Sequence, residues 1–414
     1  MESYREDVTM KVLCLIRRFG WGVVAGLVST GALALMATGT AAASAPAVTH
    51  SSAASMAQVP GSYLPTTATS TGSVSSSRQM SVEVVLRPGD EAGVNSLLSE
   101  LYTPGSADYG KWLAAGQFDS EFAPSQATVR AITSYLQSEG LTVQPTLTPF
   151  LLRAIGSSGQ VEAAFATPID NYRSAHGTSF YSNSKPASVP DSIAASVLGV
   201  VGLTNTVRPQ SQLSNLPARS GVAGNDRGQR EPSCEIPYPT TLAALQAIPT
   251  NGPFNGYGGG PGCSGLTPSQ TNGIYNAPNA GPRAQGAGAT VAVFELSAYN
   301  HSDISTWART FYGFRYRPRL TDINVDGGPL APNTSQCPTG DTCYYGYGGD
   351  DEVEADIEQD LTVAPDANSV LVYNAPNDQT GQTELDEYAT IANQDVADSI
   401  SSSWGLCEPD AGLG

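Results

Sequence analysis

Histidine is nearly missing: the 414 residues contain three, His50, His176 and His301. Any Ser-His-Asp or Cys-His scheme would have to draw on these, so such schemes are short of a base. Basic residues are also few, 20 Lys and Arg against 38 Asp and Glu, net −18. That surface repels nucleic acid and anionic lipid, which excludes both as partners, and it loses self-repulsion as pH falls. No CxxC or Cys/His spacing occurs, which argues against a zinc centre. Beyond the first forty residues no run is apolar enough to span a bilayer.

What is present begins with a leader. Lys11, Arg17 and Arg18 precede an apolar run from Trp21 to Met36, and Ala41-Ala42-Ala43 follow. Residues 1–43 thus read as a signal peptide cleaved after Ala43. The competing reading is a membrane anchor, but the run is short and rich in Gly, Ser and Thr. A secreted, extracellular protein is expected, and disulfides are compatible with that. Cys337 and Cys343 flank a short turn, Cys234 and Cys263 bracket a Gly/Pro-rich stretch, and Cys407 is left odd.

Composition divides the remainder. Residues 44–79 are Ser/Thr/Ala-rich and read as a disordered spacer. Residues 80–203 order as β-α-β-β-α-β, a ferredoxin-like α+β pattern. Its helix over 91–102 is capped by Asp90 and carries the stripe Val94, Leu97, Leu98, Leu101. Residues 204–232 read as an exposed linker. From 233 to 414 strands alternate with helices, and the order of elements predicts a parallel α/β sheet. Ser302 or Asp303 is the expected cap of a helix ending near Tyr312. The chain ends at Gly414, a few residues past the last expected strand, which predicts a fragment of a longer domain.

The most informative stretch is 350–360, Asp-Asp-Glu-Val-Glu-Ala-Asp-Ile-Glu-Gln-Asp. Asp350 or Asp351 would cap a helix. Glu352, Asp356 and Asp360 then share one face, with Val353, Ile357 and Leu361 on an adjacent apolar face. Crowding and burial raise carboxyl pKa values, so such a pair is able to share a proton and serve as a base in acid. On the helix alone, a solvated acidic face is the commoner origin of this pattern.

Separated motifs shift that balance. Tyr109-Gly110-Lys111-Trp112-Leu113, Phe122-Ala123-Pro124-Ser125 and Val161-Glu162-Ala163-Ala164-Phe165 resemble prodomain signatures of the sedolisin, or serine-carboxyl peptidase, family (kumamolisin-like members). Leu266-Thr267-Pro268-Ser269-Gln270 with Tyr275, Val291–Leu296, Glu352–Glu358 and Ser401-Ser402-Ser403-Trp404-Gly405 resemble its peptidase motifs in the same order. The resemblance implies an activation prodomain followed by the N-terminal part of a subtilisin-like parallel-sheet peptidase domain. It implies Glu352 as general base and Asp356 as the acid orienting it, with Glu295 and Trp404 as a supporting network. It further implies acid proteolysis of protein or peptide substrates after the prodomain is shed.

The family's oxyanion aspartate, its nucleophilic serine in a Gly-Thr-Ser motif and its calcium ligands all fall later than Trp404. No calcium site is therefore expected here, and the chain is expected to be inactive by itself. Cys407 then has its partner in the absent part. Gly177-Thr178-Ser179 spells the nucleophile motif but reads as a hairpin turn. The competing functions are a prodomain acting as inhibitor or folding chaperone of a related peptidase, and, behind it, a divalent-cation binder using the 350–360 acids.

Overall fold

The computed structural model describes residues 55–175, 177–207, 209, 211, 268–277, 285–329 and 349–405. The leader, all six cysteines, His176 and most of the linker lie outside the described residues.

The first block contains β1 (Met56–Gln58), β2 (Thr69–Ser73), β3 (Gln79–Leu86), α1 (Glu91–Tyr102), α2 (Gln117–Phe122), α3 (Gln126–Ser138), β4 (Thr142–Gln144) and β5 (Leu151–Ser157). It continues with α4 (Ser158–Ala164), β6 (Ile169–Arg173), β7 (Ser179–Asn183), β8 (Ser188–Pro190), α5 (Asp191–Ala194) and β9 (Val197–Val201). The main sheet has the order β4-β5-β3-β9, and every neighbour is antiparallel.

Strand β3 shows why. Val82, Val84 and Leu86 alternate onto one face and join Ile132 and Leu136 of α3 and Val161 of α4 in the core. Helix α1 starts where Asp90 accepts from the Gly93 backbone N–H at 2.8 Å. Helix α4 begins at Ser158, where Ser157 and Gln160 form a capping box.

The stretch expected to be a disordered spacer instead supplies β1 and β2. β1 pairs with β8, β2 pairs with β6, and Val59 and Val74 are buried in the core. Its Ser/Thr/Gly composition is that of an exposed edge strand, which gains order from backbone pairing rather than from an apolar face.

The second block contains α6 (Pro268–Ile274), β10 (Thr290–Glu295), α7 (His301–Tyr312), β11 (Leu320–Asn324), α8 (Asp350–Val363), β12 (Ser369–Asn374), α9 (Gln382–Gln394) and β13 (Ser399–Ser402). Its sheet has the order β11-β12-β10-β13 and is wholly parallel. β10 reads as an unbroken apolar run because both its faces are covered. Val291 and Val293 pack with Ile304, Val353, Ile357 and Leu361 on one side. Ala292 and Phe294 pack with Tyr373 and Ile391 on the other.

Two expected caps are corrected. Asn300 precedes α7, so His301 rather than Ser302 or Asp303 opens it. Gly349, in the left-handed region, precedes α8, and neither Asp350 nor Asp351 serves as its cap.

The blocks meet where the second face of the antiparallel sheet covers the start of α9. Ser81 Oγ donates to Gln382 Oε1 at 2.7 Å, and Gln382 Nε2 donates back to the Ser81 carbonyl at 3.0 Å. Arg153 of β5 reaches Asp386 of α9, Asp326 and, at 3.0 Å, the fully buried Glu83 opposite it on β3.

Candidate active site

Glu295 is the last residue of β10, and Trp404 follows β13 beside it. Both therefore stand at the carboxyl ends of parallel strands, where open α/β sheets present their sites. Helix α8 lays Val353, Ile357 and Leu361 on the sheet. Those anchors turn its Glu352–Asp356 face toward Glu295. Glu352 is 4 % exposed, so this face is not the solvated acidic surface that the helix alone suggested.

The four residues singled out in the sequence, Glu295, Glu352, Asp356 and Trp404, are brought together at the strand ends. Trp404 Nε1 donates to Glu295 Oε2 at 2.9 Å, and Ser403 Oγ donates to Asp356 Oδ1 at 2.9 Å. The remaining oxygens, Glu295 Oε1 and Asp356 Oδ2, are both buried and lack an ordinary donor. The two carboxyl groups are nonetheless coupled, with a hydrogen-bonding interaction from Glu295 opposing the rise that burial gives Asp356. Two carboxylates are acceptors only, so this bond requires one proton between them.

Burial, reinforced by the charge of Asp356, raises Glu295 well above the usual carboxyl range. Burial likewise raises Asp356 to about 6, with the Glu352 charge adding to it. Glu295 therefore holds the proton and donates it to Asp356. Glu352 lies one helical turn before Asp356, and its Oε2 accepts from Ser211 Oγ at 2.7 Å.

Gly349 makes room for this arrangement. Its φ is +111°, and a Cβ there would collide with the Trp404 indole and approach Ser297 Cβ at 3.3 Å. Gly349→Ala is expected to push the indole off Glu295 and to cost about 1–3 kcal/mol of stability. Urea unfolding followed by tryptophan emission measures both effects, and an unchanged spectrum and midpoint would refute the packing argument.

Sequence reasoning missed the acids of α9. Glu387 is fully buried, and its Oε1 accepts from the Glu295 backbone N–H at 3.0 Å, fixing the strand end that carries the network. Burial raises Glu387 well above its ordinary value and Glu384 to about 7. Asp360 extends the α8 face and is raised to about 7 by burial, then by Asp356.

His301 stands elsewhere: it is exposed and pairs with Asp322 at 2.8 Å. Gly177-Thr178-Ser179 falls at the β6–β7 hairpin, where Arg173 pairs with Ser179. Among the described residues no group of three or more His, Cys, Asp or Glu side chains fits a metal ion, and no helix is long and apolar enough to cross a membrane.

Residues 66–206 match the pro-kumamolisin activation domain. The chain is 28% identical to sedolisin of Pseudomonas sp. (strain 101) over 338 residues, 80% of this chain and 48% of that protein. It is 38% identical to xanthomonalisin of Xanthomonas sp. (strain T-22) over 125 residues, 30% of this chain and 15% of that protein. The chain thus spans about half the length of the first relative and less of the second. An activation-domain match in the first block and similarity to sedolisin reaching into the second thus make this chain similar to precursors of sedolisin-type peptidases.

Proposed function

We propose that the chain is the precursor of a secreted, acid-acting serine-type endopeptidase in which Glu352 is the general base and Asp356 orients it. The observation that carries this reading is the convergence of Glu352, Asp356 and Glu295, with Trp404 donating to Glu295 and Ser403 donating to Asp356. A serine hydroxyl attacking a peptide carbonyl must give up its proton. Glu352 accepts it. Asp356 positions that carboxylate from the next turn, and the neutral Glu295, steadied by Trp404, keeps a second full charge from collecting behind the base. This is the work that the histidine and aspartate of a Ser-His-Asp triad do, performed by groups suited to low pH.

The order β4-β5-β3-β9 supports a ferredoxin-like prodomain, and β11-β12-β10-β13 supports the first part of a subtilisin-like sheet. The nucleophile and the oxyanion acid are assigned to none of the 414 residues, whose one Gly-Thr-Ser is the hairpin at 177–179. The substrates are proteins or peptides, the first partner is the chain's own prodomain, and no stable membrane insertion follows signal cleavage.

The test is acid incubation with a protein substrate. The 414 residues alone are expected to give no turnover. In a gene product that also carries the nucleophile, Glu352→Gln and Asp356→Asn should each lower kcat/KM by about 10²–10⁴-fold. Unchanged turnover in Glu352→Gln would overturn the assignment.

The docking of the antiparallel sheet on α9 also favours a second reading, in which the prodomain inhibits or templates a related peptidase. Slowed turnover by intact sedolisin in the presence of this chain would favour it.

A further inference from the structure

Helix α9 carries buried acids that the proposed reaction leaves unused, and one of them touches the strand that carries Glu295. Along β10, Val291 and Val293 face α8, while Ala292 and Phe294 pack on the side of α9. Glu295 continues the first set, so its carboxyl falls on the α8 side, with Trp404 and Asp356. Glu387 comes to the same residue from the α9 side. Its Oε1 accepts from the Glu295 backbone N–H at 3.0 Å, and the Glu295 carbonyl accepts from the Ala375 N–H at 3.0 Å. The next residue fixes the helix there: the Tyr388 ring stacks on Phe294 with centroids 4.3 Å apart, and its hydroxyl lies 2.7 Å from Ser402 Oγ.

We infer that Glu387 is a positioning residue of the active site, acting on Glu295 from the far face of the sheet. Neutral, it clamps the Glu295 backbone. Ionised, it presses a further charge on the Glu295–Asp356 pair and so sets the pH at which that pair gives up its proton. This rests on the reading of the pair as the support of the base. An amide would serve for a clamp alone; a carboxyl is set apart by its second oxygen. Glu387 has no exposed surface, and its Oε2 is buried without a partner. Glu384 stands one helical turn earlier, and its Oε1 is buried without a partner too. The titratable groups around Glu387 are Glu384, Tyr388 and, beyond Glu384, Asp378 on one side, and Glu295, backed by Asp356 and Glu352, on the other. None of these is a cation, and Arg153 is engaged with Asp386, Glu83 and Asp326. Burial lifts both Glu387 and Glu295 well above the usual carboxyl range. Once one of them has ionised, its charge holds the proton on the other. Removing the charge of Glu387 therefore makes the last proton of the pair easier to lose.

Tryptophan emission of the full chain, titrated between about pH 4 and pH 9, tests this, because the Trp404 indole N–H lies on Glu295. The part of the signal that disappears in Trp404→Phe belongs to the site. Glu387→Gln keeps an acceptor for the Glu295 N–H and carries no charge at any pH. It should move the Trp404 titration about one pH unit lower, the scale of a close like charge. Glu387→Met lacks both acceptor and charge, so it should show the same shift and an altered Trp404 emission already at the acid end. Should Glu387→Gln fold poorly by circular dichroism, the titration of Glu387→Met decides. Equal or higher midpoints in these variants, or a Trp404 signal flat with pH in every form, would overturn the proposal. The readout does not depend on catalysis: a lowered midpoint alongside unimpaired turnover of Glu352→Gln would instead overturn the base assignment and leave Glu387 acting on Glu295.

Discussion

The unfolding midpoint of the chain should be highest near pH 4 and should fall as pH rises to 8. Every carboxyl whose proton affinity is perturbed in the described structure moves upward: Glu83, Asp119, Glu295, Asp326, Asp356, Glu358, Asp360, Glu384 and Glu387. Burial is the largest cause in each. Asp356 reaches about 6, Asp360 and Glu384 about 7, and Glu358 about 8.

In the unfolded chain these groups lose their protons near pH 4. Between that value and 6–8 the folded state therefore binds more protons than the unfolded state. Stability that is fully present below pH 4 is then lost as pH climbs through the folded values. A fall of at least ~3 kcal/mol between pH 4 and pH 8 is expected, since each unit of difference is ~1.4 kcal/mol. Urea titrations across that range measure it. A flat profile, or one that rises with pH, would refute the burial-neutralised cluster and the protonated Glu295 that depends on it.

Arg153→Met should be the most damaging single substitution at the junction of the two blocks. Arg153 is the cation facing Glu83, Asp386 and Asp326, and Glu83 has no exposed surface. The other Glu83 oxygen is buried without a partner, so removal of the guanidinium leaves the charge uncompensated. Breaking a buried pair from one side costs about 3–5 kcal/mol. Burial already favours the protonated form of Glu83, so the loss should shrink at pH 4, where the carboxyl takes up a proton. Adding Glu83→Gln to Arg153→Met should recover most of the stability. Strict additivity of the two single losses would show that the pair does not act as a unit.

Legibility in the sequence followed the apolar pattern. Asp90 and the Val94–Leu101 stripe marked α1, and Val353, Ile357 and Leu361 marked the buried side of α8. Through α8 they also placed Glu352 and Asp356 on one face. Where polar residues are buried, the same reasoning fails. Gln382, Thr383, Asp386, Glu387 and Thr390 of α9 are all buried, yet their sequence reads as a solvent face. Ser81, Arg153 and the backbone of Glu295 come to them from distant parts of the chain, and spacing does not show such partners. The strand β2 was hidden for the opposite reason, since its residues are exposed and its order comes from backbone pairing to β6. Ser211 lay in a stretch whose composition indicates a linker, and only its meeting with Glu352 gives it a part.

The parallel sheet also sets an order of events. Its central strand β10 has no partner nearby in sequence: Val291 must wait for Val370 and Ser399. The antiparallel sheet, by contrast, can begin with Val143 against Ala154 across a short connection. Loops that close late make slow folders, and local hairpins close early. The first block is thus the part that assembles soonest as the chain emerges, and its Ser81 and Arg153 face offers α9 a surface before β10 has found its neighbours. The same face that holds the finished halves together is thus complete while apolar β10 still waits for its neighbours.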